Sequence, residues 1–317
     1  MASTNSVPSP LTTEIAQPKF SKGVFLAIQW TGVVLSLSFI IFRVYGRLRL
    51  FRRLFPDDGF VGAAWLFYLA LGIIFQTQIN SMWIIMDAAS NGQEQLSPDF
   101  IERANDSLHL QIGTWILSLT ALWLVKFSFL LFFRKLGDHV RRQKILWWAV
   151  LGFTSASYVV CISLGASNCS ITADPNALIT VHCTGFSGEF TAWDLRLKVT
   201  TALDIITDAL IIIVSTNILW KVQISTRKKL ALAGICSLTA VIICISAIRI
   251  SLGSSGGRLD DAIYISLGGV EIAIAIIVAC LASFRALYTH NARLNHSIHV
   301  RHDFAVLPEP MDLYRPV

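Results

Sequence analysis

Charge is what this sequence has least of. Asp, Glu, Lys and Arg make up 15% of its 317 residues, against about 25% in ordinary soluble domains. Hydrophobic residues make up 54%, and mean hydropathy is +0.60. Length alone would allow two soluble domains, but so apolar a chain would leave too much hydrocarbon surface in water. Chemical motifs are missing as well. There is no Gly-rich phosphate cradle, no zinc-ligand spacing and no nucleophile motif. No metal or cofactor is therefore expected, and no nucleic-acid partner. An internal inverted repeat is also lacking, which makes a transporter a poor match.

What the sequence does have is long apolar runs. A membrane helix needs about 20 mostly apolar residues, and seven segments qualify: Gly23–Phe42, Phe60–Ile79 (with a possible extension to Met86), Leu108–Phe133, Ile145–Leu164, Leu197–Leu219, Leu230–Ile250 and Ile263–Ala282. The expected fold is an all-α, polytopic seven-helix bundle. Residues 1–22 read as a disordered leader rich in Ser, Thr and Pro, 23–287 as the membrane domain and 288–317 as a short tail. No signal peptide precedes the first run, which is long enough to stay as an anchor.

The remaining charge is distributed unevenly. The first connection carries Arg43, Arg47, Arg49, Arg52 and Arg53. The third carries Arg134, Lys135, Arg141, Arg142 and Lys144, and the fifth Lys221, Arg227, Lys228 and Lys229. The alternate connections carry few: Arg103, then Arg196 and Lys198, then Arg258. Basic residues stay on the cytoplasmic side, so the expected orientation has the N-terminus outside and the C-terminus cytoplasmic. The basic loops are then expected to face anionic lipid headgroups or cytoplasmic signalling or biosynthetic partners.

This orientation puts Cys169 and Cys183 in an outer connection, where an oxidising compartment permits a disulfide. Asn105 and Asn168 head N-x-S sequons on the same side, each close to a span. His296, His299 and His302 in the tail read as solvated.

Acids inside the spans are the strongest functional signal, because intramembrane charges usually face the bundle interior and mark a site. Asp204 and Asp208 share a helix face at i and i+4, with Thr200, Thr201, Thr207 and Ser215 along the same stripe. Counted from the outer helix ends, they lie about 10 and 16 Å deep, and Glu271 about 12 Å. Gln76, Asn80, His109, Gln111, Thr114 and Arg249 fall at similar heights on other helices. Asp204, Asp208 and Glu271 are the candidate acid–base residues. Gln76, Asn80, His109, Gln111 and Arg249 are the candidate ligand-binding residues of a cavity opening outward. The alternative is interhelical hydrogen bonding alone, at about 0.6 kcal/mol per bond. Lys126, toward the inner end of the third run, is expected to snorkel to the cytoplasmic interface.

Five stretches in order, "FRVYGRLRLFRRLFPDDGF" (Phe42–Phe60), "LVKFSFLLFFRKL" (Leu124–Leu136), "DIITDALIIIVSTNILWKVQISTRKKLAL" (Asp204–Leu232), "SAIRI" (Ser246–Ile250) and "GGVEIAIAIIVACLASFRAL" (Gly269–Leu287), resemble the fungal rhodopsin-domain family of integral membrane proteins. The likeness covers roughly residues 20–290. It departs at Val214-Ser215-Thr216 and Ala282-Ser283, where members often carry prolines. The family includes receptor-like proteins of plant-pathogenic fungi and a membrane protein encoded in the satratoxin biosynthetic cluster. Retinal is not expected despite the family's name, since the seventh run has no lysine.

The resemblance implies a role in fungal secondary-metabolite biosynthesis, handling or converting a lipophilic intermediate. An acid–base cyclase or isomerase is one form of that role, because a carboxylic acid can protonate an alkene or epoxide. A receptor-like sensor of an external small molecule is the alternative, and a transporter the third reading. Whether the protein is an enzyme stays open at this point.

Overall fold

Hydrocarbon gives no water to unpaired backbone groups, so the spanning segments must be helices that satisfy themselves. The computed structural model describes residues 21–53, 55–91, 98–137, 141–165, 168–174, 177–184, 190–221, 240–249 and 263–283. Side chains of the strands and of several helix ends lie outside the described residues, as do the leader and the tail. The described elements are α1 (Lys22–Phe51), α2 (Pro56–Asn91), α3 (Pro98–Gly137), α4 (Arg141–Gly165), β1 (Asn168–Asp174), β2 (Ala177–Thr184), α5 (Phe190–Lys221), α6 (Ala240–Arg249) and α7 (Ile263–Ser283).

Among the described residues, five helices, α1, α2, α3, α4 and α7, are long and apolar enough to cross a membrane. The protein is a multi-pass membrane protein. α5 carries Asp204 and Asp208, and the described part of α6 has ten residues. Several helices outrun their apolar segments. α3 spans 40 residues, about 60 Å at helical rise, well beyond a hydrocarbon core of about 30 Å.

The expected all-α architecture needs one amendment. β1 and β2 form an antiparallel hairpin in the fourth connection, with Cys169 opposite Cys183 in the ladder. The sequence signal is Asp174-Pro175-Asn176 between two runs rich in Ile, Thr and Val, which reads as turn chemistry between strands.

Local chemistry sets the helix ends that position the bundle. Ser21 caps α1, its hydroxyl accepting from the Val24 backbone N–H at 3.4 Å. α1 ends at Arg52, whose φ of 50° is left-handed and whose N–H reaches the Leu48 carbonyl at 3.1 Å, the geometry that stops helices. α2 restarts at Pro56, suited to a first helical position. Asp58 reaches back to the Phe55 N–H at 3.0 Å, half of a capping box.

That junction corrects one expectation. Arg43 and Arg47 do not face lipid headgroups, for both are buried. Arg43 pairs with Asp57 at 2.8 Å and Asp58 at 2.7 Å, and Arg47 with Asp57 at 2.6 Å and Asp58 at 2.8 Å. Both guanidinium groups also reach α7, Arg43 donating to the Ala279 carbonyl and Arg47 to Ser283 Oγ at 2.7 Å. Ser128 of α3 donates to the Asp57 carbonyl at 3.0 Å. One cluster therefore ties α1, α2, α3 and α7 together at the end marked by basic loops.

Elsewhere aromatic N–H and O–H groups bridge neighbouring helices. Trp65 Nε1 donates to the Val33 carbonyl at 3.1 Å, Trp147 Nε1 to Leu130 at 2.7 Å and Trp123 Nε1 to Thr154 at 3.2 Å. Gly32 lets α1 approach α2 and α7 closely, since a Cβ there would lie 2.3 Å from the Tyr68 hydroxyl. In the spans of α3 and α7, 56% and 61% of residues are buried, against 22% in α1. α3 and α7 therefore form the interior.

Removing one partner of a buried, hydrogen-bonded ion pair costs about 3–5 kcal/mol. Asp57→Asn and Arg43→Met should accordingly lower the thermal midpoint of the detergent-solubilised protein sharply. Arg49→Ala, at an exposed position of the same helix, should leave it nearly unchanged. Equal midpoints for Asp57→Asn and Arg49→Ala would remove the case for the cluster as the anchor of this end.

Candidate functional site

The i, i+4 spacing of Asp204 and Asp208 puts both carboxylates on one side of α5, against a group the sequence reading misplaced. Lys126 of α3 is 5% exposed and does not snorkel. Its ammonium lies 2.7 Å from Asp204 Oδ1 and 3.0 Å from Asp208 Oδ1. It also donates to the Asp204 carbonyl at 2.9 Å and to Thr207 Oγ1 at 2.7 Å, and its Nζ sits 4.9 Å from the Trp123 ring centroid. Four oxygens thus surround three N–H donors, and the ammonium is fully committed.

The sequence did hold a signal for this. Lys126 lies two turns inside Arg134, about 12 Å deeper along the helix. It also shares a face with Leu122, Phe129 and Phe133 at helical spacing. A lysine on the apolar face, opposite two acids, is better placed to pair with them than to reach water.

From Asp204 the polar contacts continue across the bundle. Ser246 Oγ of α6 lies 3.3 Å from Asp204 Oδ2 and also within hydrogen-bond distance of Glu271 Oε1 on α7. The other oxygen of Glu271 pairs with Arg249 Nη1, and Arg249 stacks over the Tyr264 ring at 4.4 Å. Glu271 is fully buried, and Asp204, Asp208, Thr207 and Ser246 are buried as well. The result is a continuous line, Asp208–Lys126–Asp204–Ser246–Glu271–Arg249, through α3, α5, α6 and α7.

Other candidate residues lie apart from this line. Gln76 is exposed on α2 and accepts from Trp30 Nε1 of α1 at 3.1 Å. Asn80 accepts from Lys22 Nζ at 3.2 Å. Both serve the α1–α2 contact. The side chains of His109 and Gln111 lie outside the described residues, as do those of Asn105, Asn168, Cys169 and Cys183. The polar layer the sequence suggested from five helices therefore contains Asp204, Asp208, Glu271 and Arg249, together with the unexpected Lys126 and Ser246. Among the described residues, no group of His, Cys, Asp and Glu could hold a metal ion.

A cavity of about 30 Å³ adjoins the layer, lined by Lys126, Asp204, Asp208 and Glu271 and by apolar residues including Phe129 and Ile242. It runs from the acids past Phe133 and Ser215, toward the C-terminal ends of α3 and α5. That is the opposite side of the acids from the outward opening the sequence suggested. One or two waters fit such a space, whereas an engineered cavity that binds benzene measures about 150 Å³.

The model of the fungal rhodopsin domain matches residues 42–290, more than three-quarters of the chain. The chain belongs to the fungal rhodopsin-domain family. Among curated proteins and solved structures, nothing matches it. The family match spans both charge clusters, the Arg43–Asp57 junction and the Lys126–Asp204 line.

Lys126→Met would leave two carboxyl groups in an apolar interior without their cation, and the destabilisation should be about 3–5 kcal/mol. In a coupled network such losses do not add. Adding Asp204→Asn and Asp208→Asn to Lys126→Met should therefore recover most of the thermal midpoint. A triple variant less stable than Lys126→Met alone would count against the ammonium–carboxylate contact.

Proposed function

We propose that this protein is a seven-crossing, receptor-like sensor in which the buried charge line sets the arrangement of α3, α5, α6 and α7. One observation carries the reading: every carboxyl in the layer is already engaged by a cation. An acid–base catalyst needs a carboxyl within reach of a substrate, in a pocket large enough to enclose it. Here the adjoining space is water-sized. Charges shared among four helices suit an element with two arrangements, since breaking one pair forces its partners to find others. An external small molecule that binds one arrangement better than the other would shift the balance between them.

The basic connections support an N-terminus outside and a C-terminus in the cytoplasm. The cavity then lies on the cytoplasmic side of the charge line. Signalling partners would meet the basic inner loops there, and lipid would surround the exposed faces of α1 and α4. The hairpin would lie outside, with the sequons at Asn105 and Asn168. Directly paired residues in an antiparallel ladder have Cα atoms about 4.5–5.5 Å apart, within the range a disulfide spans. The Cys169–Cys183 register thus supports a bridge. Thiol alkylation with and without reductant, read by mass, should show these two cysteines protected until reduction. Free thiols at both positions in secreted-pathway material would refute the bridge.

Deletion of the gene, followed by transcript and metabolite profiling, tests the function. A sensor's loss should change the expression of many genes without accumulation of one unprocessed intermediate, and Glu271→Gln should reproduce or invert that change. A single accumulated lipophilic intermediate that the purified protein converts would instead establish the acid–base enzyme. A C-terminal tag cleaved by protease outside intact cells would overturn the orientation.

A further inference from the structure

Two cations and three carboxyls make up the charge line: Lys126 and Arg249 against Asp204, Asp208 and Glu271. Fully ionised, it would carry one net negative charge in an apolar interior, where unbalanced charge is costly. The geometry at Ser246 raises the same question independently. Three oxygens surround its Oγ: the Ile242 carbonyl at 3.1 Å, Asp204 Oδ2 at 3.3 Å and Glu271 Oε1. A serine hydroxyl has one hydrogen to give, and ionised carboxylates only accept. With both acids ionised, at least one carboxylate oxygen would meet a lone pair at hydrogen-bond distance.

We infer that the line holds one additional proton, shared between Asp204 and Glu271 through the Ser246 hydroxyl and resting on Asp204. In that form Asp204 Oδ2–H donates to Ser246 Oγ, and Ser246 O–H donates to Glu271 Oε1. Lys126 then balances Asp208, and Arg249 balances Glu271. Both carboxyl contacts at Ser246 then have a donor and an acceptor, and net charge is zero. Transfer needs no other reactant. Asp204 gives its proton to Ser246 Oγ while Ser246 gives its own to Glu271, so the serine is unchanged and one proton has moved from α5 to α7. After transfer Lys126 faces two carboxylates while Arg249 faces a neutral acid, so the α3–α5 contact tightens and the α6–α7 contact loosens. The titratable groups around the line are Lys126 from α3, Asp208 from α5, Arg249 from α6 and Tyr264 from α7. The Cys161 thiol of α4 lies beside Thr200. The proton site rests on this geometry and holds whether the protein senses or converts its ligand.

Infrared spectroscopy of the purified protein at neutral pH tests it. Wild type should show a carboxylic-acid C=O band that moves in heavy water and moves again when aspartate carboxyls are isotope-labelled. Asp204→Asn and Glu271→Gln should each lose it, since either leaves two cations with two carboxyls. Ser246→Ala keeps the charge count, so the band should persist at a shifted position. The labelled wild-type measurement stands even if a variant fails to fold. A wild type without the band would overturn the proposal, as would a band untouched by both acid variants. A band that appears only after sodium is removed would assign the missing positive charge to a metal cation in the adjoining cavity, and would likewise overturn it.

Discussion

A charged side chain cannot stand alone in hydrocarbon, and that constraint organises this bundle. Lys126 enters the interior because two carboxyl groups wait there, and its ammonium lies between them. Once α3 and α5 are joined in this way, Asp204 still has a second oxygen to satisfy. Ser246 supplies the contact and brings in α6, and Glu271 with Arg249 closes the line on α7. The relative placement of four helices follows from a chain of local requirements, each set by the group before it.

Lipid tails are as apolar as leucine, so burial of apolar side chains does little to hold membrane helices to one another. Polar contacts and close packing take over. The bundle has two charged tiers, the Lys126 line at mid-depth and the Arg43–Arg47–Asp57–Asp58 cluster at the basic end. Indole donors to backbone carbonyls pin α1 to α2 and α3 to α4, and Gly32 allows the close approach around Tyr68. Both tiers include α3 and α7, the two most buried spans.

Much of this was legible beforehand. Apolar runs located the five helices long and apolar enough to cross a membrane, and the Asp204–Asp208 spacing and the depth of Glu271 pointed to one interior layer. Three things escaped, each for a physical reason. Lys126 lies close to a basic helix end, which suggests water, while its helix face points to partners. Arg43 and Arg47 read as loop charges because the apolar run of α1 stops at Phe42, whereas the helix continues to Phe51 and carries both back into protein. Gln76 and Asn80 matched the acids in height. Height alone does not give direction around a helix, and both turned toward α1. Depth is readable from a count of residues, but the face of each helix depends on which neighbours it meets.

The Arg43 cluster also has a history in time. Its aspartates lie 14 and 15 residues along the chain, while its α7 carbonyl lies 236 residues away. During synthesis, α1 and α2 can therefore neutralise one another as soon as both have emerged from the ribosome. The fork facing α7 must wait for nearly the whole chain. Without α7 the cluster would be balanced in charge but incomplete in hydrogen bonding, so the last helix is the one that seals the first.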